Sequence, residues 1–222
     1  MAIGDLIRWM IDFILHLDRH LGTIVAQYGP WTYLFLFIII FLETGLVFTP
    51  FLPGDSMIFA AATMAGSGIF NIWILFFVFF AAAVLGDTCN YWIGKFIGLK
   101  LFRENAKYLN RKHLVETQKF FDKYGASSIV IGRFIPIIRT FVPFLAGVGK
   151  MKYWKFLVYN VIGAFLWVGL FTLGGYYFGG LKFVKDHFTL VLLLIISMSF
   201  IPAIWQLVRH LTNKDRHRKV EK

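Results

Sequence analysis

The chain has 222 residues, of which 58% are hydrophobic, 19% are aromatic and only 16% are charged. Soluble domains carry about a quarter charged residues, so this composition excludes a soluble protein and predicts an all-α integral membrane protein. The net charge of +11 suggests anionic partners, although basic cytoplasmic loops alone would give the same sign.

Residues 1–29 are predicted to form an N-terminal amphipathic helix. Leu6, Met10, Phe13 and Leu17 recur at helical spacing, and the charged residues lie largely off that stripe. The segment lacks the basic start and the small-residue cleavage site of a signal peptide. We therefore expect it to lie on the membrane surface or against the other helices.

The segment 31–66 is predicted to be a first re-entrant hairpin. Its opening run, WTYLFLFIIIFL, has twelve residues and reaches only about 18 Å as a helix, against about 30 Å of hydrocarbon. The interruption ETGLVFTPFLPGDS separates it from a second short apolar run, and we assign the break to Pro50, Pro53 and Gly54. The alternative is one kinked spanning helix through Pro50, followed by a loop.

The segment 72–94 is long enough to span the bilayer and carries Asp87 and Asn90. Because residues three apart share a helix face, both side chains are expected to point together toward protein or water, as supporting polar groups of a site. Between residues 100 and 123, seven Lys and Arg oppose three Asp and Glu. This predicts cytoplasmic amphipathic helices over 100–124.

A second re-entrant hairpin is predicted over 126–150, where two short apolar runs are again separated by prolines, here Pro136 and Pro143. Its second half-helix is expected to begin near Thr140, with Thr140 as the N-cap and Pro143 in the first turn.

Spanning helices over 154–178 and 188–208 complete a single membrane domain, 1–208, which is followed by a basic cytoplasmic tail, 209–222. The sequence PFLPG in the first break is echoed by PFLAG in the second hairpin. Paired, proline-broken short segments predict an inverted repeat that encloses a site near the membrane midplane. With the basic segments inside, the two hairpins enter from opposite faces and the C-terminus is cytoplasmic.

Five ionisable side chains fall inside the predicted membrane segments, where each costs about 2.5 to 3.5 kcal/mol. They must be paired or face water, so they mark the candidate site. The alternative is a set of salt bridges that only pin the hairpins together. The five are Glu43, Asp55, Asp87, Arg133 and Arg139.

Arg133, Arg139 and Thr140 are expected to bind a phosphate group. Guanidinium stays charged and grips phosphate through two nitrogens, and a half-helix starting near Thr140 would aim backbone N–H groups at the same anion. Glu43 and Asp55 are the candidate proton-coupling groups, because a buried carboxylate beside an arginine can carry a proton in one state and release it in another. For Asp55 the alternative is an N-cap of the following helix.

Other chemistry is not indicated. Cys89 is the single cysteine and cannot form an intrachain disulfide, and the six histidines have no ligand spacing such as HExxH. No nucleophile with a base or metal cluster stands out. We expect no metal, no cofactor, no catalytic residue and no nucleic-acid partner, and hence no enzyme.

Four ordered motifs carry a family resemblance: FLETGLVFTPFLPGDS, GDTCNYWIG, GRFIPIIRTFVPFLAGVGKM and YNVIGAFLWV. Over roughly residues 10–210 the chain resembles the bacterial DedA family, whose domain also occurs in eukaryotic lipid-scrambling proteins of the endoplasmic reticulum. The resemblance implies an inner-membrane protein that returns undecaprenyl phosphate to the inner leaflet, in some members at the expense of the proton motive force. It also implies that the required acids are Glu43 and Asp55, and the required arginines Arg133 and Arg139.

The predicted function is therefore transport of undecaprenyl phosphate between leaflets of the bacterial inner membrane by a multi-pass, proton-coupled protein. A phospholipid scramblase or a proton- or cation-coupled transporter of another substrate is the alternative, and a membrane lipid phosphatase ranks last. The expected partners are an anionic polyprenyl phosphate or phospholipid and protons, and a homo-oligomer is left open.

Overall fold

A computed structural model describes residues 17–46, 54–101 and 125–182, together with 184, 187, 190, 191, 193 and 194. These residues are helical with short connections, and none of them lies in a strand. The predictions for 1–16, Pro50, Pro53, 102–124 and the tail, and most of the predicted span 188–208, lie outside the described residues. The helices are α1 (Leu17–Tyr28), α2 (Trp31–Gly45), α3 (Gly54–Gly66), α4 (Ile72–Leu101), α5 (Ser127–Gly132), α6 (Pro136–Val148) and α7 (Tyr153–Phe178).

Two helices are long and apolar enough to cross a membrane. Ile72–Ile97 within α4 and Tyr153–Phe178 in α7 each have 26 residues, with mean hydropathies of 2.1 and 2.0, and each reaches about 39 Å as a helix. The sequence predicted both, although α4 continues to Leu101, past the predicted end at 94. By contrast, α2, α3 and α6 have 15, 13 and 13 residues and are too short to cross alone.

The helix starts follow from local sequence. Asn71 caps α4, since its Oδ1 accepts the backbone N–H groups of Trp73 and Ile74 at 2.9 and 3.2 Å. The chain turns from α3 into α4 at Gly68, whose φ of +82° favours glycine. Pro136 is the first residue of α6, where a missing N–H costs nothing.

The prediction that the second half-helix begins near Thr140 is wrong. α6 begins at Pro136, so Thr140 lies inside the helix, and Pro143 is also inside it rather than in its first turn. Pro136 is the stronger start signal because its fixed φ suits the first helical position. Pro143 removes a backbone N–H within α6, and nearby Asn90 Nδ2 donates to the Thr140 carbonyl at 2.7 Å.

The two echoed sequences lie at different places in their helices. Gly54, which ends PFLPG, is the first residue of α3, whereas PFLAG lies wholly inside α6. The predicted inverted repeat stays a prediction.

The core is organised around α4 and α7. α4 packs most extensively against α2 and α6, and α7 packs against α3, α4 and α5. Some of these contacts bring backbones together at glycine: a Cβ on Gly94 would overlap the Phe144 carbonyl of α6, and one on Gly175 would overlap the Phe59 carbonyl of α3. The short helices are thereby held against the middle and the ends of the two long ones.

Candidate functional site

The structure brings all five predicted ionisable side chains into one cluster, which we call the arginine–carboxylate cluster. Arg139 donates from Nη1 to Asp55 Oδ1 at 2.7 Å and from Nη2 to the Glu43 carboxylate. Arg133 donates from Nη2 to the Asp87 carboxylate. The two arginines therefore bind three carboxylates, which leaves one excess negative charge if all five groups are ionised.

Each of these side chains comes from a different helix or helix end. Glu43 is in the last turn of α2, Asp55 in the first turn of α3 and Asp87 in the middle of α4. Arg133 directly follows α5, and Arg139 lies in the first turn of α6. The cluster exists only when five separate elements are in place, so its assembly depends on the tertiary fold.

The cluster is buried. Glu43 is fully buried and Arg139 is only 7% exposed, while the Asp55 side chain is 13% exposed. Buried ion pairs are little screened, and removing one partner leaves an uncompensated charge that typically costs 3 to 5 kcal/mol. The cluster is therefore a strong constraint on the positions of the helices that supply it.

Glu43 and Asp55 lie together at the start of α3. The Glu43 carboxylate occupies the space that a Cβ on residue 54 would take, so a side chain at Gly54 would have to displace Glu43. A carboxylate at this helix start is also favoured by the helix dipole. Asp55 lies within the first turn of α3, one residue after the helix begins at Gly54, and its Oδ1 accepts bonds from Arg139 and Trp167.

Two site residues were missed by the sequence analysis, and both lie on α7. Asn160 Oδ1 accepts from Arg133 Nη2 at 2.7 Å, and its Nδ2 donates to the Val84 carbonyl at 3.1 Å. The Trp167 ring lies 5.1 Å from the Arg139 guanidinium carbon and 5.9 Å from that of Arg133, close enough for cation–π attraction. Trp167 Nε1 also donates to Asp55 Oδ1 at 3.1 Å.

A signal for both residues was present in the sequence. Asn160 is a buried amide in an apolar span, and such groups are functional candidates by default. Trp167 lies in the middle of a span, whereas membrane tryptophans collect at the interfaces.

Asn90 and Thr140 link helices beside the cluster. Asn90 Nδ2 donates to the Thr44 carbonyl of α2 at 3.3 Å as well as to the Thr140 carbonyl of α6. Both Asn90 and Thr140 are fully buried. Asn90 thus joins α2 to α6, while Asp87, one turn earlier on α4, binds Arg133.

A small cavity of about 10 Å³ lies within the cluster, lined by Thr44, Asp87, Arg133, Arg139 and Trp167. This is room for about one water molecule and not for a phosphate group. Among the described residues, Arg133 Nη1 and Arg139 Nε have no hydrogen-bond partner although both atoms are buried. The arrangement is a closed one: an anion could reach these donors only if carboxylates moved away.

Metal-ligand groups are not assembled in the part of the chain that the structure describes, where no three His, Cys, Asp or Glu side chains are placed to hold an ion. Cys89 is a half-buried free thiol.

Comparison with known proteins gives consistent similarities. A VTT domain model matches residues 52–177. The chain is 48% identical over 209 residues to Protein DedA of Escherichia coli (strain K12), which covers 93% of this chain and 95% of that protein. It is 31% identical over 189 residues to the inner membrane protein YghB of the same organism, covering 84% and 83% of the two chains.

Another relative is an uncharacterized membrane protein of Mycobacterium tuberculosis, which is 40% identical over 172 residues, an alignment that covers 76% of this chain and 75% of the relative. No solved structure matches the chain.

Proposed function

This chain belongs to the DedA family of VTT-domain membrane proteins, and we propose that it moves undecaprenyl phosphate, an anionic polyprenyl phosphate, between the leaflets of the inner membrane. The observation that carries the proposal is the buried arginine–carboxylate cluster. Two guanidinium groups that both lie within about 6 Å of the Trp167 ring form a cradle for a phosphate group. The three carboxylates occupy that cradle in the closed arrangement.

The depth of the cluster supports a transport role. Exposed aromatic side chains mark both ends of the long helices, at Trp73 and Phe96 on α4 and at Trp154 and Tyr177 on α7. Each pair is separated by about 34 Å along its helix, close to the thickness of a bilayer's hydrocarbon core. Trp167 lies within about 3 Å of the middle of its pair, so a headgroup bound at the cluster would be half-way across.

Opposed re-entrant hairpins fit this depth, and we propose that α2–α3 and α5–α6 form them. Tyr33, near the start of α2, accepts the backbone N–H of Asn71 at 2.9 Å, and Gly66, the last residue of α3, packs against the Tyr176 carbonyl. Both contacts lie near the end of α4 that carries Trp73. After α6, the Met151 carbonyl accepts from Tyr91, toward the other end.

Proton coupling follows from the competition between carboxylates and phosphate. When Glu43 and Asp55 are ionised they hold Arg139, and when they are protonated the guanidinium is free to bind a headgroup. Arginine remains charged, so only the acids can switch. Protonation from outside and release inside would then tie headgroup capture and discharge to the proton gradient.

The experiment is reconstitution of the purified protein into liposomes that contain undecaprenyl phosphate, with an impermeant probe that reports the phosphate exposed on one leaflet. Wild type should equilibrate or drive the lipid across, and an imposed proton gradient should change the rate. Equal rates in protein-free and protein-containing liposomes would refute the proposal. Release of inorganic phosphate would indicate a lipid phosphatase, because transport leaves the ester intact.

A phospholipid scramblase is the second candidate, and the chemistry of the cluster is the reason. Arg133 and Arg139 would recognise the phosphate that undecaprenyl phosphate shares with phospholipids. A labelled phospholipid in the same liposomes separates the two: selective movement of the polyprenyl lipid supports the first proposal, and equal movement of both supports the second.

A further inference from the structure

Close backbone contacts divide the helices from α2 to α7 into two sets. Among the described glycines, those whose added Cβ would meet the backbone of another helix all pair helices within the same set. In the set α2, α4 and α6, which we call the first body, they are Gly45, Gly86, Gly94 and Gly147. In the set α3, α5 and α7, the second body, they are Gly66, Gly163 and Gly175.

Contacts between the two bodies are made through side chains, and they include hydrogen bonds from Arg133 and Asn160 to the Ala83 and Val84 carbonyls of α4. Tyr91 of the first body stacks on Phe156 of the second with ring centroids 4.6 Å apart, and Phe76 meets the edge of Phe165 at 5.6 Å. Packed side-chain interfaces can slide or change arrangement, whereas backbones in contact at glycine leave no space for it. Helices also alternate between the bodies along the chain, so every connection from α2 to α7 crosses the boundary.

The arginine–carboxylate cluster lies on this boundary, and its bonds follow one rule. Arg139, on α6, binds Glu43 within the first body and Asp55 across the boundary. Arg133, which follows α5, binds Asn160 within the second body, and it binds Asp87 and, at 3.4 Å, the Ala83 carbonyl across the boundary. Each arginine therefore has one side-chain partner in its own body and one carboxylate in the other.

We propose that the first and second bodies move against each other and that the lipid headgroup passes between them. Asp55 and Asp87, which we call the latches, are the carboxylates whose ion pairs join the two bodies and which the headgroup displaces. Glu43 and Asn160 are positioning residues that keep each arginine on its own body when the latches open. This deepens the proposed function and rests on it for the identity of the headgroup.

The geometry explains why a phosphate group would suit the opened boundary. With the latches displaced, each body presents one guanidinium that is still held by its own partner. The buried donors Arg133 Nη1 and Arg139 Nε, which have no partner among the described residues, add hydrogen-bonding capacity that the closed arrangement leaves unused. One anion between the arginines would join the bodies in place of two carboxylates.

Spin-label distances in lipid nanodiscs test the partition without depending on transport. Cys89 is replaced first. The distance between labels at Leu42 and Leu85 then reports on the first body, and the distance between labels at Ile131 and Ile162 reports on the second body. The distance between labels at Leu85 and Ile162 reports on the boundary between the bodies. All four positions are exposed on the described helices. The variants are Asp55→Asn and Asp87→Asn, alone and together, with Glu43→Gln as the matched neutralisation of a carboxylate whose ion pair lies within the first body.

The double variant should add a population to the 85–162 distance that is shifted by about 5 Å, the scale of one helical turn, and leave the 42–85 and 131–162 distances unchanged. Glu43→Gln should add no such population. The proposal would be overturned if the 42–85 or 131–162 distance shifted as much as the 85–162 distance, or if either single variant lost one of these within-body distances. It would also be overturned if Glu43→Gln added the shifted population to the 85–162 distance.

Adding undecaprenyl phosphate to the wild type should produce the same population. If the latch variants open the boundary but this lipid does not, the proposed substrate is refuted and the two-body arrangement stands.

Discussion

Replacing Arg139 by lysine should damage the protein more than the same change at Arg133. Arg139 holds two carboxylates through two nitrogens and lies 5.1 Å from the Trp167 ring. A single ammonium cannot hold both acids in that geometry, so about one charged hydrogen bond is lost, at about 1.5 to 3 kcal/mol, together with much of a cation–π contact of about 0.5 to 2 kcal/mol. We expect a destabilisation of about 2 to 5 kcal/mol.

Arg133→Lys is the matched comparison, because Arg133 binds one carboxylate, Asp87, and its other side-chain partner is the amide of Asn160. An ammonium can still reach one carboxylate, so the loss of stability should be smaller. Phe141→Leu, at an exposed position on α6, is the control and should change stability by less than about 0.5 kcal/mol.

Two measurements check this order. Thermal unfolding in detergent measures stability, and liposome transport measures function. Because lysine cannot bind a phosphate group through two nitrogens, transport should fall at least about tenfold in both lysine variants, which corresponds to about 1.4 kcal/mol. Wild-type transport by both variants would refute the arginine cradle and leave a purely structural cluster. Equal stability of the two variants would refute the role assigned to the second carboxylate.

Three further predictions follow from the packing and the cluster. Gly94→Ala should cost about 1 to 3 kcal/mol in detergent unfolding because its Cβ would overlap a backbone carbonyl of α6, whereas Gly174→Ala, with nothing within 4 Å, should not destabilise. Trp167→Phe keeps an aromatic ring beside both arginines and loses the bond to Asp55, so it should retain more headgroup binding than Trp167→Leu in lipid-binding assays; the reverse order would exclude a role for the aromatic ring. Glu43→Gln and Asp55→Asn should keep or strengthen headgroup binding with a flatter response between about pH 5.5 and 8.5 and abolish gradient-driven transport; loss of binding at every pH would make these acids structural.

Several features of the molecule could be read from local sequence. Apolar length predicted the two candidate spanning helices, and the cost of burying charge identified Glu43, Asp55, Asp87, Arg133 and Arg139 as one group that must be paired or hydrated. These inferences succeed because segment length and the burial of charge in an apolar segment are properties of the chain itself. Their functional roles remain predictions.

Other predictions from the sequence were wrong where two local signals competed. Thr140 was a reasonable N-cap, but Pro136 starts α6 four residues earlier, and tertiary packing accommodates Pro143 within the helix. The sequence analysis did not identify Asn160 and Trp167, because the sequence does not show which side chains a single polar or aromatic residue in a spanning segment will contact.

The sequence by itself determined that the chain is a membrane protein, where its apolar segments are interrupted and which charged groups need partners, because these follow from composition and from solvation cost along the chain. Only the tertiary structure decided which carboxylate meets which arginine. That pairing depends on how glycine contacts set helices against one another: Arg139 receives Glu43 from α2 and Asp55 from α3, whereas Arg133 receives Asp87 from α4 and Asn160 from α7. Contacts between residues from 27 to 96 positions apart are fixed by packing in three dimensions, which no local pattern specifies.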